Sequence, residues 1–113
     1  MKIIETSVKL KELKENASST FGDMVKAVVD IEKEIMALYA ELHSDEEAIL
    51  LENGSKQENL WGINIYPDLK GDKMVEFDSM INLRPSAGNL SRSVEDKSIQ
   101  KRIIKIVNNL IQK

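Results

Sequence analysis

The chain has 113 residues, no cysteine, 42% hydrophobic and 31% charged residues, and a net charge of −3. A domain of this length buries roughly two-thirds of its unfolded surface, and the composition excludes wholesale disorder, a disulfide framework, a thiolate nucleophile and a cysteine-bound metal. No apolar run approaches the ~20 residues of a membrane helix, and Met1-Lys2-Ile3-Ile4-Glu5 carries charge where a signal peptide has its apolar core.

These features predict one soluble, unprocessed cytoplasmic domain over 1–113 that engages no membrane. The acidic balance and 4% aromatic content argue against nucleic acid, whose recognition draws on basic surface and stacking rings. The charge is unevenly spread. Residues 84–113 hold seven Lys/Arg and two Asp/Glu, a surplus of +5, which leaves −8 on the remainder. That asymmetry suits an anionic ligand, an acidic partner or a second protomer; a helix with a solvated lysine face explains it equally.

In chain order, Leu10, Leu13 and Ala17 recur at helical spacing and predict a short amphipathic helix over 9–20, with Ser7 as N-cap and Gly22 as terminator. From Met24 the period changes to two. Val25, Ala27, Val29 and Ile31 form one face of a strand, Glu32-Lys33-Glu34 a charged break, and residues 35–42 a second strand. β-branching favours this hairpin in its first half, whereas Ala, Met, Leu and Glu leave a helix open in the second.

Ser44-Asp45-Glu46-Glu47 has the capping-box pattern, with Ser44 as N-cap and Glu47 at N3, and Gly54 stands where a left-handed residue ends a helix. An Asn53-Gly54 hairpin turn is the competing reading. Trp61, Ile63 and Ile65 alternate with Gly62, Asn64 and Tyr66 in a strand ended by Pro67. Val75, Phe77, Ile81 and Leu83 suggest a further half-buried strand. Ser93, Glu95 and Asp96 open a final helix whose apolar stripe is Ile99, Ile103, Ile106, Val107 and Leu110.

The order α-β-β-α-β-β-α predicts an α+β domain: a four-stranded, mainly antiparallel sheet of two hairpins, with helices mainly on one face. That face would be Val25, Val29, Leu38, Trp61, Ile63, Phe77 and Ile81. Residues 22–32 (GDMVKAVVDIE), 41–47 (ELHSDEE), 61–67 (WGINIYP) and 77–86 (FDSMINLRPS) resemble an uncharacterised family of short prokaryotic proteins. The resemblance covers most of the chain after Phe21 and implies no catalytic residues.

Three places carry candidate chemistry. Arg84 and Arg92 bracket a loop of small, hydrogen-bonding residues; each guanidinium can fork onto a phosphate or carboxylate, with Ser86, Asn89, Ser91 and amides near Gly88 completing a cradle. Against this, Glu95 and Asp96 occupy the following helix start and would repel a phosphate there, and Arg84 paired with Asp78 or Asp96 would merely fix the loop. The strand face opposite the core would present Asp30, Glu41, Asn64, Tyr66, Asp78, Asn82 and Arg84, with Ile35 and Met80 between them. That face reads as a ligand groove, a solvated surface or a homodimer interface. His43, the single histidine, is a candidate base or, with Asp45, a weak candidate metal ligand, although no His-Glu-x-x-His helix or EF-hand loop is present. A hydrogen-bonded linker histidine is its plainer reading.

The leading expectation is a non-enzymatic module, without cofactor, that binds a ligand or partner through the 84–92 loop and adjoining sheet face as a homodimer. The alternatives are a small hydrolase or phosphate-transfer enzyme using His43, Asp45, Asp78 and Arg84, and a structural homo-oligomer subunit.

Overall fold

A computed structural model describes residues 1–113. Its fold is built around β5 (Leu60–Ile65), the strand whose six residues are all buried. β5 pairs antiparallel with β3 (Val25–Asp30) along its whole length, Val25 opposite Ile65 and Asp30 opposite Leu60. β3 turns through residues 31–34 into β4 (Ile35–Leu38), which pairs back from Ala27–Leu38 to Asp30–Ile35. The predicted hairpin is therefore present, and its second strand is shorter than 35–42 because Tyr39 takes φ 74° and turns the chain out of the sheet.

The sheet has five strands in the order β1-β4-β3-β5-β6, one more than the four expected. The added strand is β1 (Lys2–Ile4), three residues on the edge of β4, too short to show a period of its own. β6 is only Val75–Glu76, paired with Asn64 and Ile65. The long strand expected from Val75 to Leu83 does not form. After Glu76 the chain leaves the ladder, makes a 3₁₀ turn at Met80–Asn82 and a second at Pro85–Ala87, so its alternation of apolar and polar residues marks a winding segment. A separate two-stranded parallel pair joins β2 (Val8–Lys9) to β7 (Ile111–Gln112), tying the two ends of the chain together.

Three helices cover the sheet, on both faces. Leu13 and Ala17 of α1 (Leu10–Ser19) and Ile103, Ile106, Val107 and Leu110 of α3 (Lys97–Leu110) pack with Val25, Ala27, Val29, Trp61, Ile63 and Ile65 in the main core. Each large side chain there contributes roughly 1.5–3 kcal/mol when fully buried. α2 (His43–Glu52) covers the other face, where Leu50 meets Val28, Ala37 and Leu60, with Ile3, Ile35 and Ile81 at the margin. α1 and α3 share one face and α2 alone lies on the other, in keeping with helices mainly on one face; Ile81 sits on the second face, while Phe77 packs against the main core. No helix is long and apolar enough to cross a membrane.

The caps differ in detail from the sequence reading. Lys9, not Ser7, precedes α1, and Leu42, not Ser44, precedes α2, neither giving a side-chain cap. In place of Glu47, Glu46 reaches back to accept the Ala40 amide at 3.1 Å. Gly54 holds φ 92° after Asn53, and the amides of Gly54 and Ser55 bond to the Leu51 and Leu50 carbonyls, so this helix end is as expected. Asp96, not Ser93, caps α3, accepting the Ser98 amide at 2.8 Å.

Candidate functional site

β5 dictates the arrangement of the 77–93 segment. Once β6 ends at Glu76, the edge of β5 at Leu60 and Gly62 has backbone groups with no strand to pair them, and buried groups of this kind must be satisfied. Side chains do it. The Asn82 amide accepts the Gly62 N–H at 2.8 Å and donates to the Gly62 carbonyl at 2.9 Å, taking the place of a strand residue. Its Nδ2 also donates to the Arg92 carbonyl, and Asn82 is fully buried. The segment lies so close that a Cβ on Gly62 would stand 2.6 Å from Ser79 Cβ and Oγ. The chain that approaches this glycine is residues 79–82.

Arg84 serves the same edge. Its Nε donates to the Ile81 carbonyl at 3.1 Å and its Nη2 to the Leu60 carbonyl, with the guanidinium 4.7 Å above the Trp61 ring. Burial lowers its pKa, with Glu47 opposing. Asn89 sews up the loop: Nδ2 donates to the carbonyls of Asn82, Ser91 and Ser93, and Oδ1 accepts the Glu95 amide. Arg84 and Asn89 also pair backbone to backbone, closed by Gly88 at φ 82°. Asn82, Arg84 and Asn89 are thus spent on the protein's own backbone. Ser91 Oγ accepts the Ser93 amide.

The two arginines do not converge on one anion. Arg84 lines an open cleft of about 600 Å³ with Trp61, the exposed Ser86, Glu58, Glu95 and Asp96, whose three carboxylates outnumber its one cation. Arg92 faces elsewhere. Its Nε donates to Asp78 Oδ1 at 2.7 Å, both side chains about half exposed. Arg84 pairs with neither Asp78 nor Asp96, the two partners considered for it; Asp78 is taken by Arg92.

Arg92 shares a smaller cleft, about 170 Å³, with Lys26, His43, Ser44, Leu42 and Met80. β3 presents Lys26 on the face covered by α2, opposite Asn64 in register. The Lys26 ammonium lies 5.2 Å from the Phe21 ring centre and takes part in none of the three ion pairs of the molecule. His43 opens α2, and its Nε2–H donates to the Ile63 carbonyl at 2.8 Å, which leaves Nδ1 as the free nitrogen. Burial lowers the His43 pKa, the Ile63 carbonyl opposes, Lys26 and Arg92 lower it and Asp78 raises it. Lys26 was not among the residues the sequence singled out. Its position in a strand, flanked by apolar residues, is the one sign it gave.

The remaining candidates separate. Asn64 is buried, its Nδ2 donating to Glu76 Oε1 at 2.8 Å, with Tyr66 donating to the same oxygen at 3.0 Å. Asp30 accepts the Glu32 and Lys33 amides and the Ser55 hydroxyl, fixing the turn after β3. α2 covers the part of the sheet face around Val28, Ala37 and Leu60, where a groove or a dimer surface was expected, and Lys26 stands on the part left open. His43, Asp78 and Arg84 do not meet in one cleft, since Arg84 is held against Trp61. No three His, Asp or Glu side chains are grouped to hold a metal ion, and His43 is not joined to Asp45 in such a set.

The chain belongs to a family described as protein of unknown function (DUF5674), whose profile matches residues 2–110. No curated protein and no solved structure matches it.

Proposed function

We propose that this member of the family is a non-enzymatic binding module that takes an oxyanion, a phosphate or carboxylate, in the cleft of Lys26, His43, Ser44 and Arg92. The observation that carries the reading is the charge of that cleft. Two cations, Lys26 and Arg92, line it beside the imidazole of His43, no carboxylate is among its lining side chains, and Asp78 engages Arg92 through Nε only. Lys26 is in no ion pair within the chain, and the Nδ1 edge of His43, a donor once the ring is protonated, is free. The reading keeps Arg92 of the bracketed loop and replaces Arg84 by Lys26, because Arg84 is committed to the β5 edge. The absence of cysteine fits a module working in a reducing cytoplasm.

Calorimetric titration with inorganic phosphate tests it. The expected outcome is saturable binding with a dissociation constant on the order of 1 mM, weakened about tenfold in Lys26→Ala and in Arg92→Ala. Equal binding by both variants and the parent chain would remove the reading.

A further inference from the structure

The end of the molecule that carries this cleft also exposes three large apolar side chains. Phe21 is 42%, Leu42 55% and Met80 61% exposed. They form one continuous surface with the basic groups. Lys26 lies over Phe21, Phe21 and Leu42 share a shallow depression of about 470 Å³, and Leu42 and Met80 flank the cleft of His43 and Arg92. Exposed apolar residues standing singly need no explanation, whereas a contiguous set rimmed by polar groups marks an interaction surface.

We infer that this surface docks an acidic peptide segment of a protein partner, its carboxylates on Lys26 and Arg92 and its apolar side chains on Phe21, Leu42 and Met80. The inference deepens the oxyanion reading and rests on it. Charge complementarity selects the occupant. A basic segment would meet Lys26 and Arg92 with like charge. An anionic membrane calls for a larger cluster, about four to eight Lys/Arg, whereas this surface has two, with Glu41 in the same depression and a chain charge of −3. An acidic segment with interspersed Leu, Ile or Phe satisfies both the charges and the apolar area.

The test is selection of random twelve-residue peptides displayed on phage against the immobilised full chain, followed by titration of the synthesised winners. The expected result is enrichment of Asp/Glu alternating with Leu, Ile or Phe. Affinity should fall at least tenfold both in Arg92→Glu and in the double variant Leu42→Ser/Met80→Ser, all exposed positions whose folding circular dichroism verifies. Lys26→Gln serves as a second charge probe should Arg92→Glu disturb the loop. No enrichment, basic winners, winners indifferent to these substitutions, or binding to phosphatidylserine vesicles without peptide binding would each overturn the inference. Phosphate titration of the same samples separates the two readings. If phosphate binds at the cleft and no peptide does, only the partner assignment fails; if neither binds, both fail.

Discussion

Arg84 and Arg92 stand eight positions apart in one loop and do opposite work. Arg84 is half-buried on Trp61 and gives its donors to the Ile81 and Leu60 carbonyls, whereas Arg92 lies in the open with one exposed aspartate. The difference originates in β5, whose outer edge loses its partner after Glu76. Whatever lies beside that edge must supply hydrogen bonds, and Asn82 and Arg84 do so. His43 gives β5 only its Nε2, to the Ile63 carbonyl, so its Nδ1 edge, together with Lys26 and Arg92, remains available to something outside the chain. The same residue types are structural or free according to whose backbone they face.

The largest way to break this comparison is at Gly62 and Asn82. Gly62→Ala forces a Cβ to within 2.6 Å of Ser79, and Asn82→Leu strands the Gly62 N–H and two carbonyls in the interior. Each unsatisfied buried group costs about 1–3 kcal/mol. Each variant should therefore lose about 3 kcal/mol in urea unfolding; a loss below about 1 kcal/mol in both would show that the edge is not held as described.

Next in size is Glu46. It is fully buried, accepts only the Ala40 amide, and burial raises its pKa to about 9 from 4.5, with Ala40 and Lys26 opposing. The folded state therefore keeps a proton that the unfolded chain has released at neutral pH. Its contribution to stability is full below about pH 4.5 and declines as pH rises toward 9. Unfolding at pH 5, 7 and 8.5 should show this decline, and Glu46→Gln should flatten it, gaining about 2 kcal/mol over the parent at pH 8.5. Equal slopes in both proteins would refute the assignment.

The arginine pair sharpens the contrast. Arg84→Ala should lower stability by about 2 kcal/mol, leaving two buried carbonyls short of a donor, and leave phosphate binding unchanged. Arg92→Ala should cost no more than about 0.5 kcal/mol, since an exposed ion pair contributes little, and abolish most of the binding. The smallest effect concerns His43. Protonation makes Nδ1 a donor, and because the group's pKa is lowered, a bound anion must draw the proton in. Sulfate, whose charge is constant across the range, should bind about threefold more tightly at pH 6 than at pH 8, and His43→Gln should remove the difference.

Where the sequence spoke clearly, the reason is a repeated physical pattern. The alternation of 25–31 and 61–65, the glycine ending α2 and the Ile-rich stripe of α3 are each set by many residues acting together. Elements decided by a neighbour were not legible. β1 spans three residues and owes its existence to β4. The alternation from Val75 to Leu83 imitates a strand, yet Ser79 and Asn82 are turned inward by Gly62. Asn82 and Asn89 look identical as ligand donors and as backbone surrogates, because an amide side chain has the same groups as a peptide bond. Of the candidate site, His43 and Arg92 were visible; Lys26 was not, because its freedom is defined by partners it lacks.

The most direct test follows every backbone amide by heteronuclear NMR while phosphate is added to the full chain. The account predicts saturable shifts at Lys26, His43, Ser44 and Arg92, with Arg84, Ser86 and Gly88 unmoved. Shifts concentrated at residues 84–89, with the Lys26–His43 cleft silent, would contradict it.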